Sequence, residues 1–144
     1  MSYNVEIKGL TELQARLEKL PAEIKMEANA ILEKGAQIFV RNAQRDAPVN
    51  FGFLRQRITY MPRPVTNLLV EMVSGAEYSA YMEWGTITRV KVPPELAAYA
   101  IQFKGKGIRK TGGIHPRPFF FKQLPLAKAE IERGFAALAR DIKL

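Results

Sequence analysis

Leu10, Leu13, Leu17 and Leu20 recur every three or four residues, which places them on one side of a helix. Thr11 and Gln14 have capping-box spacing at its start, and Pro21, suited to a first helical turn, separates this stripe from the next. From Pro21 to about Arg45, Ile24, Ala28, Ile31, Gly35 and Ile38 share a face, with Leu32 and Phe39 beside it. Glu23, Lys25, Glu27, Glu33 and Lys34 mostly point elsewhere, so the spacing predicts a long amphipathic helix. Ala28 and Gly35 keep the apolar face thin and predict close approach of another element of the same chain. A third stripe, Ala127, Ile131, Phe135, Leu138 and Ile142, predicts a C-terminal helix opened by Pro125.

The segments between these helices follow other rules. Asn4 to Ile7 alternates weakly and predicts a short strand, with a turn at Lys8-Gly9. Asp46 to Gly52 ends the long helix, because the residue before Pro48 disfavours helical geometry and Gly52 permits a sharp turn. Leu54 to Met61 and Asn67 to Ser74 predict two antiparallel strands separated by Pro62-Arg63-Pro64. Leu68, Val70 and Met72 line one face of the second strand, and Leu69 with Val73 makes the other face apolar enough to be covered by another subunit. Ala76 to Trp84 predicts a short helix stopped by Gly85. Residues 86–118 hold Val92-Pro93-Pro94, Gly105, Gly107 and Gly112-Gly113, which predicts an extended loop with at most one helical turn from Pro94-Glu95 through Tyr99. The expected fold is α+β: long N-terminal helices and a C-terminal helix packed on a small antiparallel sheet, with a long basic loop. Its 144 residues suffice for one domain spanning 1–144, with 86–118 as an extended arm.

The charge of +8 is concentrated in one place. Residues 1–85 carry ten Lys/Arg against ten Asp/Glu, residues 86–122 carry eight against one, and residues 123–144 carry four against three. A cluster of this kind attracts phosphates or acidic protein surfaces. No stretch approaches the roughly 20 apolar residues of a membrane span, so no membrane partner is expected. The opening Met-Ser-Tyr-Asn-Val-Glu lacks a basic lead and an apolar core, which predicts no secretory signal and synthesis in the cytosol. Zero cysteines exclude disulfides and thiolate metal sites.

Candidate chemistry is sparse. His115 is the single histidine, so a nucleophilic triad or His-based metal site would need its other members elsewhere, and a surface or subunit contact is the expected role. Glu71, Glu77 and Glu83 have no catalytic spacing, and pairing with Arg55 or Arg57 is expected instead. Gly107 and Gly112 have the separation of a phosphate-binding loop, but Gly113-Ile114 follows where Lys and Ser/Thr are required. Lys104, Lys106, Arg109 and Lys110 can neutralise phosphates nonspecifically or dock on an acidic protein. Phe119-Phe120-Phe121 reads as core at a helix entrance or as inter-subunit packing. No cofactor and no enzymatic activity are expected.

Three stretches in order carry a resemblance: Asp46-Ala47-Pro48 followed by Gly52-Phe53-Leu54-Arg55, then Tyr78 to Thr86, then Pro116-Arg117-Pro118-Phe119-Phe120. With the opening Lys-Gly-Leu and its leucine spacing, they resemble the tailed-phage tail-component family typified by gene product ten of phage HK-ninety-seven, across nearly the whole chain. Asn50-Phe51 departs from it, standing where the family has a small polar residue before the glycine. The resemblance implies a virion structural protein of the neck or tail-completion region, made in the host cytoplasm. It implies a homo-oligomeric sixfold ring between head connector and tail, contacting the connector, tail terminator or tail tube proteins. It further implies fold-defining roles for Pro48, Gly52, Glu83 and Gly85, with Trp84 beside Glu83. Arg89, Lys91, Lys104, Lys106, Arg109, Lys110, His115, Arg117, Phe119 and Phe120 are the expected assembly or partner contacts. A nucleic-acid-binding module touching DNA through the basic loop is the alternative.

Overall fold

The computed structural model describes residues 2–3, 21–49, 52–62, 69–85, 97–100 and 113–142, with the single positions Ala15, Lys19 and Pro94. Helix α1 (Ala22–Asp46) begins directly after Pro21, whose fixed φ and missing N–H suit a helix start. Its 25 residues span about 37 Å. Ala47 turns extended before Pro48 and closes the helix by donating its N–H to Ala43 at 2.8 Å. The strand expected at Asn4–Ile7 and almost all of the Leu10–Leu20 helix lie outside the described residues.

The buried face of α1 runs through Ala28, Leu32, Gly35, Ala36, Phe39 and Ala43. Ile24, Ile31 and Ile38, expected at the centre of that face, flank it as half-buried residues. The centre belongs to small residues because α1 meets helix α5 (Leu124–Asp141) there. A Cβ on Gly35 would lie 2.6 Å from Ile131 Cδ1, and a Cβ on Gly134 would lie 2.5 Å from Ile31 Cγ2. Each helix thus sets an isoleucine into the other's glycine notch, and the order of these pairs makes the two helices antiparallel. Ala28, Leu32, Ile131 and Leu138 fill the interface, with Ile24, Ile31, Phe135 and Ile142 at its margins.

Gly35→Ala is expected to lower stability by about 1–2 kcal/mol in a denaturant titration, because overpacking outweighs alanine's better helix propensity. Ile131→Val in the same chain is expected to recover part of that loss, which a double-mutant cycle reads as favourable coupling.

The C-terminal half of α1 covers a three-stranded antiparallel sheet made of β1 (Ser2–Tyr3), β2 (Ile58–Pro62) and β3 (Val70–Ser74), ordered β1-β3-β2. Register pairs Ile58 with Ser74, Tyr60 with Met72 and Pro62 with Val70. Ile58, Tyr60, Val70 and Met72 face α1, where Gln44 donates to the Ile58 carbonyl at 3.0 Å. Ala36, Phe39, Ala43, Leu54, Ile58, Met72, Phe119 and Phe120 form the core there. On the opposite face Val73 is half-buried, while Leu69, just before β3, is exposed.

Two boundaries differ from expectation. Phe53–Gln56 forms one helical turn, α2, instead of the start of a strand. The reason is local: Gly52 sits at φ 72°, its carbonyl accepts from Gln56 N–H at 3.1 Å, and the four residues contain no β-branched side chain. Helix α3 covers Ser79–Trp84, with Ala76 to Tyr78 forming the turn before it. Ala97–Ala100 forms the helical turn α4, and a 3₁₀ turn at Phe121–Gln123 leads into α5, with Pro125 in its first turn. The α+β architecture of helices on a small antiparallel sheet is the one expected.

Candidate assembly site

Helix α3 is fixed at its start by hydroxyls. Ser74 and Ser79 share a hydrogen bond at 2.7 Å, and Ser79 Oγ donates to the Ala76 carbonyl at 2.6 Å, all buried. One turn later the Glu83 side chain, 1% exposed, points toward the segment before α5. Its Oε2 accepts the backbone N–H of Phe119 at 2.8 Å and of Phe120 at 3.0 Å, and its Oε1 accepts that of Phe121 at 3.1 Å. Arg117 N–H donates to the Met82 carbonyl at 2.7 Å. Burial pushes the Glu83 carboxyl above its ordinary range, opposed by the three N–H groups and by Lys122. The expected partners Arg55 and Arg57 are therefore corrected: Glu83 is held by main chain, because Phe119 to Phe121 present three N–H groups with no helical acceptor.

Gly85 completes this junction. Its φ of 66° and ψ of 174° lie in a region open essentially to glycine alone. A Cβ there would stand 2.6 Å from Pro116 N and 2.8 Å from the Ile114 carbonyl oxygen. The chain therefore leaves α3 and returns at Ile114–Pro116 in contact with its own departure point. Trp84 stacks on Phe121 with centroids 5.4 Å apart, and Phe120 meets Phe39 edge to face at 4.8 Å. The Trp84 indole N–H is buried without a hydrogen-bond partner, alone among the described side-chain nitrogens and oxygens. Replacing Trp84 by Phe removes that unpaired donor, so the loss of stability is expected to stay below about 2 kcal/mol, measured by circular dichroism during urea unfolding.

A polar tie reinforces the same junction from α1. Asp46 accepts from Arg45 at 2.9 Å, Lys122 at 2.9 Å and Gln123 at 2.8 Å, and Gln123 also donates to the Phe119 carbonyl at 3.2 Å. These donors hold the Asp46 carboxyl well below its ordinary value of 3.8. A folded value below the unfolded one contributes stability above pH ~4 that is lost as pH falls further. Asp46→Asn is accordingly expected to flatten the acid limb of stability against pH, read from melting temperatures at successive pH values.

The expected site residues separate into three groups. Pro48, Gly52, Glu83 and Gly85 stand at chain reversals or junctions, with Glu83 and Gly85 meeting the same segment. Phe119 and Phe120 are 0% and 2% exposed, which corrects their expected role as partner contacts: rings in the core offer no surface. His115 and Arg117 are exposed next to the Gly85 junction. Arg89, Lys91, Lys104, Lys106, Arg109 and Lys110 lie outside the described residues. Lys122 and Gln123 escaped the sequence reading, and Asp46 entered it only as a helix end and part of a motif, since a single carboxylate at a helix end carries no signal of partners 76 and 77 positions away. No group of His, Cys, Asp and Glu that could hold a metal ion occurs among the described residues. No described helix is long and apolar enough to cross a membrane.

The model of the HK97-gp10-like family, described as "Bacteriophage HK97-gp10, putative tail-component", matches residues 11–85, just over half of the chain. The chain belongs to this family. No curated protein and no solved structure matches it. Membership in the HK97-gp10-like family makes this chain a structural component of a phage tail, carried in the virion among other tail proteins. The match ends at Gly85, so it contains the first motif stretch and all but Thr86 of the second, and stops at the junction. Glu83 lies inside the matched part and binds main chain outside it, tying α1, the sheet and α3 to the lead-in of α5.

Proposed function

We propose that this tail component works in the neck or tail-completion region, joining the head connector to the tail by assembling into a homo-oligomeric, sixfold ring. The observation that carries the reading is the junction at Gly85 and Ile114–Pro116. It holds both ends of a strongly basic stretch at one point on a frame that belongs to a tail-component family. Six Lys/Arg against one Asp/Glu in residues 86–113 supply a charge that attracts acidic surfaces of a neighbouring subunit or ring. The contacts proposed are Arg89, Lys91, Lys104, Lys106, Arg109, Lys110, His115 and Arg117, and the role is binding, without catalysis. One domain, 1–144, carries both frame and arm.

A phage with an early stop codon in this gene tests the reading. Separated full heads and finished tails are the expected products in electron micrographs, and intact virions would refute it. Native mass spectrometry of the purified protein, alone and with its connector, gives the ring stoichiometry.

The same basic stretch supports a second reading, nonspecific contact with DNA passing through the neck. Binding to random duplex DNA at about 50 mM salt, falling steeply as salt rises, is its expected signature. Absence of binding at that salt excludes it.

A further inference from the structure

One exposed feature is untouched by the junction. Phe53 of α2 stacks on Tyr78 with centroids 6.3 Å apart and ring planes 28° from parallel. The Arg57 guanidinium lies over the Phe53 ring, 5.0 Å from its centroid, and its stem runs beside Gly75. Phe53, Arg57, Gly75, Glu77 and Tyr78 line a half-open depression of about 350 Å³. Phe53 and Tyr78 keep 44% and 37% of their surface exposed. Arg57 and Glu77 share the depression, yet neither forms an ion pair with a described residue.

An arginine held over an aromatic ring by a cation–π contact still has N–H groups to donate, and the contact restricts rotamer freedom that binding would otherwise have to freeze. Aromatic rings with an arginine are also the composition enriched at the energetic centres of protein interfaces. From this geometry we infer that the depression is a docking site for a segment of another tail protein that presents one carboxylate beside an apolar side chain. The carboxylate takes the Arg57 fork in a charge-assisted, bidentate pair, and the apolar side chain covers Phe53 and Tyr78. Glu77 lines the same depression, and its negative charge disfavours a run of phosphates such as a nucleic-acid backbone more than a single carboxylate. That the partner is a tail protein rests on the structural tail role; the chemistry of the site does not.

The test is an NMR titration of the ¹⁵N-labelled full chain with the capped peptide acetyl-Glu-Phe-Leu-amide, its Gln counterpart, and a short DNA duplex. The acidic peptide is expected to shift the Arg57 side-chain N–H and the amides of residues 53–57 and 75–78, with the Gln peptide at least about tenfold weaker. Arg57→Gln is expected to abolish that preference, and Phe53→Ala to weaken both peptides, with circular dichroism unchanged in each variant. Equal binding of the two peptides, responses at other residues, or no response at about 5 mM peptide overturns the proposal, since useful docking needs a Kd no weaker than about 1 mM. DNA shifting these amides while the peptides do not would reassign the site to nucleic acid. Shifts that grow with protein concentration alone would reassign it to a second copy. Because the titration reads direct binding, it stands or falls separately from the head-to-tail joining experiment.

Discussion

Gly85→Ala is expected to lower the unfolding free energy by about 3–5 kcal/mol. A non-glycine residue held near φ 66° and ψ 174° costs about 1–3 kcal/mol by backbone conformation alone. The added Cβ would then meet Pro116 N at 2.6 Å, Pro116 Cδ at 2.7 Å and the Ile114 carbonyl oxygen at 2.8 Å, and no side-chain rotation relieves a collision with main chain. Such overpacking adds about 1–3 kcal/mol. The segment is expected to lift off α3, taking the Arg117–Met82 hydrogen bond with it. Gly52→Ala is the control. Its φ is also positive, at 72°, but the nearest atom to its Cβ is Gln56 Nε2 at 3.9 Å, so only the backbone cost of about 1–2 kcal/mol applies. Urea titrations followed by the fluorescence of Trp84, the one tryptophan, compare the two; similar losses would show that contact with Pro116 carries no energy.

Glu83→Ala is expected to cost about 4 kcal/mol. It leaves the N–H groups of Phe119, Phe120 and Phe121 without their acceptor, each unsatisfied buried group costing about 1–3 kcal/mol, with the cavity adding to this. Glu83→Gln is expected to lose about half as much. Its amide oxygen can replace Oε2 for Phe119 and Phe120, but its NH₂ then faces the N–H of Phe121, donor against donor. The two variants also differ from the parent in pH dependence. Because the folded chain holds the Glu83 proton more tightly than the unfolded chain, stability from this group is complete below the ordinary value of 4.5. It falls as pH rises through the raised value. Glu83→Gln lacks that fall, while the opposite acid-side loss from Asp46 persists in it. Melting temperatures of parent and variant across pH 3–8 separate the two contributions, and parallel curves would exclude a protonation-linked role for Glu83.

The long elements were legible because helical periodicity is local. Ala127, Ile131 and Leu138 are buried where a 3.6-residue repeat places them, and Pro125 stands in the first turn. The centre of the α1 face was displaced because Ala36 and Ala43 carry little hydropathy, yet close packing in the core beneath α1 selects them for size. Leu54–Gln56 reads as strand in the sequence because its helical turn is decided by Gly52 and by main-chain hydrogen bonds, which composition does not register. Of the junction, the resemblance pointed to Glu83 and Gly85 without their partners. Glu83 reaches residues 36–38 positions away, and main-chain N–H groups are the same at every non-proline residue, so no side-chain pattern marks them. The Arg57–Phe53–Tyr78 stack was hidden for a related reason: it joins the turn at Gly52 to the turn before α3, and only the sheet brings these together.

The meeting of Gly85 with Ile114–Pro116 has a consequence for the length of the stretch between them. Where a stretch departs and returns at one clasp, its length and composition are nearly uncoupled from the frame, since each doubling of a flexible loop costs only about 0.6 kcal/mol of closure entropy. A change in the number of residues between Gly85 and Ile114 is therefore expected to cost the clasp and the helices behind it little.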